Sequence, residues 1–261
     1  MTLNVKKTKF MVFSETNTKI GNNSLKIGGT TIEQVGSNCK EKYFKFVGHV
    51  LDDRLSWEGH VEHICKKLAS ANFGINSSKN FLPLNIRKIL YYSLFDSHLN
   101  FGNLLWGCAK PKLLKKVETL QKKCIRNVAR KSFLSHTEPL FKDLEILKFA
   151  DRLSYNRAIF MHKYRNKKLP SSFSGTFQDI PNTEGTQNRH NDYNYDTLPA
   201  VKKYLESFPL KQIIFNWNSL TVDLKATAEP KDFETMLKTF YLSKYKLESD
   251  CPDNCFTCNT I

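Results

Sequence analysis

The sequence predicts an α+β protein with a small N-terminal antiparallel sheet, a mainly helical bundle after it, and a partly disordered C-terminal region. Three observations predict this fold class. Short apolar runs separated by turn residues precede residue 50, apolar residues spaced by three and four follow Trp57, and residues 182–197 contain no aliphatic side chain. With 261 residues, of which 40% are hydrophobic, the chain can bury a substantial core.

The predicted sheet is built from three apolar runs. FMVF at 10–13 is the first, LKIGGTTI at 25–32 contains Gly28 and Gly29 as a turn, and YFKFVGHV at 43–50 is the third. Their length and their β-branched and aromatic content are typical of strands. We therefore expect an antiparallel sheet.

Helical spacing begins after Trp57 and predicts three helices in succession. The first has an apolar face of Val61, Ile64, Cys65, Leu68 and Ile75. The second follows the breaker Pro83, with Ile86, Leu90, Leu94, Phe101 and Leu105 inward. The third begins near Pro111, a residue suited to the first helical turn, and carries an apolar stripe of Leu113, Leu114, Val117, Leu120, Cys124, Ile125 and Val128. A further helical stretch is predicted over 140–164.

The third helix is strongly basic outside its apolar stripe. Between Lys110 and Lys131 lie nine Lys or Arg against the single acid Glu118, an excess of +8 in a chain of net charge +15. Such a helix can dock on a core while contacting phosphates, although a basic face that is merely solvated has the same composition. Nucleic acid is the first candidate partner and an anionic membrane surface the second. The candidate phosphate contacts are Lys112, Lys115, Lys116, Lys122, Lys123, Arg126 and Arg130.

The stretch VGHVLDDRLSWEGHVEHI at 47–64 concentrates aspartate and histidine. Asp52 and Asp53 stand where side chains favour a turn, and Ser56 can cap a helix with the acidic residues Glu58 and Glu62 in its first part. Adjacent carboxylates on a strand point to opposite faces, so they form a poor acid/base pair. The alternative is a metal site, because His60 and His63 are spaced as neighbours on one helical face.

The C-terminal part contains a low-hydrophobicity segment and a cysteine cluster. Residues 182–197 read as a linker or mobile loop, and order is expected to return over 198–246 in two shorter helices. Cys251, Cys255 and Cys258 could supply three zinc thiolates with a distant ligand such as His190, but a frayed tail with free thiols is the simpler interpretation. The other four cysteines, which are Cys39, Cys65, Cys108 and Cys124, read as reduced, partly buried thiols.

No run of about eighteen apolar residues and no secretory h-region occurs, so neither a membrane span nor export is indicated and an intracellular protein is expected. Trp57, Trp106 and Trp217 are interpreted as core residues rather than as stacking platforms.

Five stretches in order resemble the reverse transcriptases of non-LTR (LINE-type) retrotransposons, the jockey-like and CR1-like group. The five are LNVKKTKFMVF at 3–13, KFVGHVLDDRLSWEGHVEHICKK at 45–67, ILYYSLFDSHLNFGNLLWG at 89–107, LKKVETLQKKCIRNV at 114–128 and FNWNSL at 215–220. Thr221 stands where that family usually has proline. The resemblance covers most of residues 3–245 and lies downstream of the family's catalytic aspartates.

The resemblance implies a function for each part. Residues 1–56 would end the polymerase palm with its primer-grip hairpin, 57–166 would form a thumb-like helical domain, 167–197 a linker and 198–261 a C-terminal extension. Phe46, Val47 and Gly48 would take the primer-grip position, and Lys7 the position of a basic residue that assists pyrophosphate departure. The implied partners are RNA and DNA as a primer–template duplex, with no membrane and no small-molecule substrate, and the implied location is the nucleus.

Polymerase chemistry needs two Mg²⁺ held by palm aspartates, one of them from a Y-x-D-D turn, and this sequence contains no such turn. Asp52 and Asp53 have the flanks of the grip hairpin. We therefore expect no catalytic residue here, with Mg²⁺ bound only when those aspartates are present. The first hypothesis is a polymerase fragment that binds primer–template without polymerising alone. The rivals are a non-catalytic basic nucleic-acid-binding module derived from such an element, and a zinc-dependent interaction protein using the terminal cysteines.

Overall fold

A computed structural model describes residues 4–13, 24–180, 193–196 and 208–246 of the chain. Two small sheets occupy the N-terminal part and helices fill the rest, so the predicted α+β class is confirmed. A one-turn 3₁₀ helix, Val5–Lys7, precedes the first strand, and another, Ser171–Phe173, follows the central helices.

The first sheet has three strands, β1 (Lys9–Met11), β2 (Leu25–Ile27) and β3 (Thr30–Val35), in the order β1-β3-β2. β2 and β3 are antiparallel and are joined by Gly28 and Gly29, both with positive φ, as the sequence predicts. β1, in contrast, pairs with β3 in parallel. Eighteen residues separate Met11 from Thr30 in the sequence, enough for the crossover that a parallel pair needs, and the purely antiparallel expectation is wrong for this pair.

The second sheet is a tight hairpin of β4 (Phe44–Phe46) and β5 (His49–Leu51). The run YFKFVGHV, expected to be one strand, therefore folds back on itself. Val47 and Gly48 form the two-residue turn with φ values of 43° and 81°. A turn with two positive φ angles matches the twist of the flanking strands, and glycine at its second position reduces the strain.

Ten α-helical segments follow among the described residues. The first and third predicted helices correspond to α1 (Glu58–Ser78) and α5 (Pro111–Ala129), with Pro111 in the first turn as predicted. The stretch predicted over 140–164 forms two helices, and the C-terminal part forms three where two were expected. The other bounds are α2 (Leu84–Leu90), α3 (Ser97–Asn100), α4 (Asn103–Trp106), α6 (Glu138–Asp143), α7 (Phe149–Arg165), α8 (Pro209–Asn218), α9 (Val222–Ala226) and α10 (Pro230–Ser243).

The region predicted as the second helix buries a different face from the one expected. A π-helical segment, Tyr91–Asp96, joins α2 to α3 and adds a residue to the helical repeat, which changes the face presented to the core. Leu94, Phe101 and Leu105 are consequently exposed. The buried face consists of Arg87, Tyr91, Phe95, Leu99, Asn103 and Trp106.

One hydrophobic core unites the helices. α1 packs along α5, and α7 packs against α8, so the C-terminal helices share the interior of the central ones. Trp57, Trp106 and Trp217 are all buried in this core, as predicted. Described residues of the predicted linker also join it, since Phe177 and Tyr195 are buried and the Trp217 indole N–H donates to the carbonyl of Tyr193 at 2.7 Å. The rest of the 182–197 segment lies outside the described residues, and the division into domains stays a prediction.

Gln121 connects three elements at the centre of the core. Its amide nitrogen donates to the Tyr91 hydroxyl at 2.9 Å and to the Leu147 carbonyl at 3.0 Å. Its amide oxygen accepts from the Phe149 backbone N–H at 2.7 Å. This buried side chain thus ties α5 to the π-helical segment and to the start of α7, although the sequence pattern assigned the stripe of α5 to apolar residues alone.

The four described cysteines agree with the sequence analysis. Cys39, Cys65, Cys108 and Cys124 are free thiols, and Cys124 is fully buried, which raises the pKa of its thiol. Within the described ranges no helix combines the length and the apolar character needed to cross a membrane.

Replacing Gln121 with leucine should lower the free energy of unfolding by about 3 kcal/mol, because it leaves the Phe149 N–H, the Leu147 carbonyl and the Tyr91 hydroxyl without their buried partner. Urea denaturation followed by circular dichroism measures this change. Thr119→Ala, on the exposed side of the same helix, is the matched control and should change stability by less than about 0.5 kcal/mol. Equal stability of the two variants would contradict the assigned role of Gln121.

Candidate nucleic-acid interface

The lysines of α5 form one outward face. Leu113, Val117 and Ile125 are buried against the core, and the predicted phosphate contacts lie on the opposite side of the helix. Five of them are exposed along the helix: Lys112, Lys115, Lys116, Lys122 and Lys123. We define these five residues as the lysine face. The structure therefore brings together five of the seven residues predicted from the sequence of this helix.

Arg126 and Arg130, the other two predicted contacts, are held by backbone carbonyls. The Arg126 Nε donates to the Ser135 carbonyl at 2.8 Å. Arg130 ends α5 in the left-handed conformation, and its guanidinium donates to the carbonyls of Lys79 and Leu82. Both arginines thus link α5 to neighbouring segments, a role that charge patterning alone does not reveal.

Arg87 is a functional feature that sequence reasoning missed. It lies in the buried face of α2, and its guanidinium donates to the Leu82 carbonyl at 3.1 Å and to the Val128 carbonyl. A cation at the C-terminal end of a helix satisfies carbonyls that have no partner within the helix and complements the helix dipole. Arg87 and Arg130 together fasten the last turn of α5 to residues 79–82, and we call this pair the arginine clamp.

The hairpin presents an apolar tip. Phe46 and Val47 are 59% and 74% exposed, so the residues at the predicted primer-grip position are accessible. The base of the hairpin is fixed, since the His49 ring stacks on Phe101 with centroids 4.9 Å apart. Gly102, with a φ of 59°, leaves room for that ring, because a Cβ there would collide with the His49 Nε2.

His60 anchors the hairpin to α1. Its Nδ1 accepts a hydrogen bond from the Val50 backbone N–H at 3.2 Å, and its fully buried ring lies between those of His49 and Trp106. Burial, together with the neighbouring His49 and His63, lowers the pKa of His60 from 6.5 to about 4. His60 is thus a neutral core histidine at physiological pH.

The metal alternative for this stretch finds no support in the geometry. His63 lies in a basic environment, where burial and then Lys67 and Lys45 lower its pKa. In the part of the chain that the structure describes, no three His, Cys, Asp or Glu side chains are grouped as a metal site. Cys251, Cys255, Cys258 and His190 lie outside the described residues.

Asp52 and Asp53 form the predicted turn and helix start, and their carboxylates diverge. The Asp52 side chain accepts from the N–H groups of Arg54 and Ser56 and from the Ser56 hydroxyl. The Ser56 hydroxyl in turn accepts from the Glu58 N–H at 3.3 Å, but the N-cap of α1 is Trp57, in the left-handed conformation and without a side-chain cap, so the prediction of Ser56 as the cap is wrong by one residue. Asp53 accepts from the N–H of Ser37 at 2.8 Å and from its hydroxyl, so it ties the first sheet to this turn. With both carboxylates engaged apart from each other, this pair does not fit a two-Mg²⁺ site.

α1 contributes basic residues that the sequence analysis did not single out. α1 contacts both β5 and α5, and its exposed Lys66 and Lys67 therefore lie on the element that joins the hairpin to the lysine face. The positive charge of Lys45 on β4 is among the causes that lower the pKa of His63, so this lysine lies near α1.

Residues in the first and last of the five family-like stretches have local structural roles. Lys7 is exposed in the first 3₁₀ turn, where its N–H donates to the Asn4 carbonyl. In the C-terminal box, the Asn218 side chain donates to the Tyr195 carbonyl at 2.9 Å and accepts from the Tyr195 N–H at 3.1 Å. Thr221, the departure from the usual proline, has a φ of −67°, which is the angle that proline imposes. The φ angle at this one position is therefore compatible with proline.

Comparison with known proteins identifies two curated relatives, both from Drosophila melanogaster. The chain is 22% identical over 129 residues to the probable RNA-directed DNA polymerase from transposon X-element. It is 27% identical over 114 residues to the RNA-directed DNA polymerase from mobile element jockey. The resemblance to non-LTR retrotransposon reverse transcriptases is thereby confirmed.

The matches to these polymerases are partial. They cover 47% and 42% of this chain and only 14% and 12% of the X-element and jockey polymerases. No family model matches the chain, and no solved structure matches it.

Acidification should destabilise the protein through His60. Because the pKa is 6.5 in the unfolded chain and about 4 in the folded protein, the unfolded state binds the additional proton between these values. The contribution of His60 to stability is therefore fully present above pH 6.5, and about 3 kcal/mol of it should be lost as the pH falls to 4. Urea denaturation at a series of pH values measures this slope.

His60→Asn retains an acceptor near the Val50 N–H and should flatten the pH dependence. A smaller slope should persist in the variant, because burial also lowers the pKa values of His63, His98 and His162. An unchanged slope in the variant would show that His60 is not the group responsible.

Proposed function

We propose that the chain is a part of a non-LTR retrotransposon RNA-directed DNA polymerase that binds the primer–template duplex and does not polymerise by itself. The observation that carries this proposal is the lysine face, which points away from the core on a helix fixed at its centre by Gln121 and at its end by the arginine clamp. The partial similarity of the chain to the X-element and jockey polymerases supports this proposal.

The dimensions of the lysine face suit a nucleic-acid backbone. Lys112 and Lys123 are eleven residues apart on α5, so the face extends for roughly 16 Å at a rise of about 1.5 Å per residue. A duplex carries one charge per ~1.7 Å of its axis, so several phosphates fall within that span. Glu118 is the only acid in α5. Phosphate contacts carry no base information, and the proposed binding is therefore independent of sequence.

The hairpin tip is proposed to contact the primer end. Phe46, Val47 and Gly48 project from a base that His49 and His60 hold against the helices. A rigid base with an accessible tip favours positioning of a ligand over chemistry on it. Lys66 and Lys67 would supply positive charge between the tip and the lysine face. Lys7 is proposed to lie near the departing pyrophosphate in the assembled polymerase, which would act in the nucleus.

We do not assign catalysis to Asp52 and Asp53. Asp52 and Asp53 are occupied by the turn and the sheet, and the sequence contains no Y-x-D-D turn. Mg²⁺ would supply the Lewis acid for phosphoryl transfer only where palm aspartates hold it. The chain's own contribution is to bind and orient the duplex.

Charge reversal tests the proposed duplex binding. Changing Lys115, Lys116 and Lys122 to Glu should weaken affinity for a nucleic-acid duplex equally for unrelated sequences. It should also flatten the dependence of log affinity on log salt concentration by about three units, one per lost phosphate contact. Fluorescence anisotropy at several salt concentrations gives both quantities.

The matched control changes the same number of charges elsewhere. Lys167, Lys168 and Lys231 are exposed outside α5, and their reversal to Glu should leave most of the salt slope in place. If both triple variants change the affinity and its salt dependence equally, binding depends only on net charge, and the assignment of the lysine face is refuted.

A second candidate is a non-catalytic nucleic-acid-binding module derived from such an element. This candidate is favoured because the lysine face needs no catalytic residue in order to bind a duplex. Mixing the chain with a separately produced palm segment of a related polymerase distinguishes the candidates. Primer extension that rises on addition of the chain supports the polymerase fragment, whereas duplex binding with no effect on extension supports the module.

A further inference from the structure

A groove with aromatic walls lies beside the lysine face. It runs between α1, the last turns of α5 and the residues after α5, and it encloses about 480 Å³. None of the described residues that line it carries a carboxylate. The side chains that matter for ligand chemistry are Phe73, Lys79, Lys123, Asn127, Lys131 and Phe133.

Two of these side chains are unusual for a folded surface. Phe73 and Phe133 are 73% and 72% exposed, although each could bury its ring in a core. The Arg126 guanidinium lies over the ring of Phe133, with its carbon 5.9 Å from the centroid, and so orients that ring. Exposed rings on both sides of one basic groove indicate a surface that contacts a flat, negatively charged ligand.

The floor of the groove is polar and ordered. The Asn127 amide nitrogen donates to the Asn72 side-chain oxygen at 2.9 Å, and the Lys79 Nζ donates to the Asn127 side-chain oxygen at 3.2 Å. These bonds join α1 to α5 and hold Lys79 at the edge of the groove. The arginine clamp fixes the same end of both helices, so the positions of Phe73 and Lys79 relative to α5 are set before a ligand arrives.

We propose that this groove binds a single-stranded segment of nucleic acid, with unpaired bases stacked on Phe73 and Phe133 and phosphates contacted by Lys79, Lys123 and Lys131. The inference rests on the proposed nucleic-acid-binding function and adds a second, differently shaped site to it. In a duplex the bases stack on one another, and only an unpaired strand offers a base face to an aromatic side chain.

The position of the groove relates the two sites. Lys123 belongs both to the lysine face and to the groove, so a strand leaving the end of a bound duplex reaches the groove directly. The chain would thereby favour a duplex with a single-stranded extension over a blunt one. Stacking tolerates every base, and no sequence preference is expected at this site.

The test uses the full chain and three fluorescent probes: a single-stranded RNA of about twelve nucleotides, a blunt duplex of the same length, and a glutamate peptide of matched charge. The variant is Phe73→Leu combined with Phe133→Leu, which keeps apolar bulk and removes the stacking faces. Its affinity for the single strand should fall at least about tenfold, whereas its affinity for the duplex should change less than about twofold. The corresponding Tyr variants should restore single-strand binding.

Phe215→Leu is the matched control, because Phe215 is 71% exposed on α8 and does not line the groove. It should bind the single strand as the unchanged chain does. Ultraviolet cross-linking of the single strand should label peptides containing Phe73 or Phe133.

Unchanged single-strand affinity in the double Leu variant would overturn the proposal. An equal loss for the single strand and the duplex would also overturn it, as would binding of the glutamate peptide that is as tight as that of RNA. Failure of the wider proposal gives a different pattern, because the unchanged chain would then not bind the blunt duplex through Lys115, Lys116 and Lys122, whatever happens at the groove.

Discussion

The hydrogen bonds of one buried amide determine how α5 is presented. Gln121 satisfies a backbone N–H at the start of α7, a carbonyl just before it and a tyrosine hydroxyl of the π-helical segment. Because a buried polar group without partners is costly, this arrangement admits one rotation of α5 about its axis. That rotation turns Leu113 and Val117 inward and the lysine face outward. The proposed interface therefore depends on a side chain that cannot contact nucleic acid.

The stretches that resemble retrotransposon polymerases divide into two physical classes. Gln121, His60 and Asn218 lie inside the molecule or at its joints, where each fixes the geometry of a neighbouring segment. The lysines and the hairpin tip lie on the surface, where substitutions change binding without changing the fold. Residues of the first class shape the fold, whereas residues of the second class bear on ligand binding.

The sequence was a good guide wherever structure is set by local periodicity. α1, α5, the Gly28–Gly29 turn and the three buried tryptophans follow from spacing and composition. It failed where a non-local choice decides: the parallel partner of β1, the extra residue in the π-helical segment and the carbonyl partners of Arg126 and Arg130. Charge counting located the lysine face but not the groove beside it. Phe73 and Phe133 are sixty residues apart in the sequence and line one groove only because α1 packs on α5.

The arginine clamp has a consequence for the way the protein responds to its ionic surroundings. Arg87 is buried and donates to backbone carbonyls, so salt screens its contacts weakly, whereas contacts between exposed lysines and phosphates exchange freely with counterions. The end of α5 is thus held by a buried cation that salt screens weakly, whereas the lysine face of the same helix is exposed to salt. A change in ionic strength would therefore alter the proposed binding of nucleic acid while the helices keep their arrangement, so affinity and architecture would be adjustable independently in this fold.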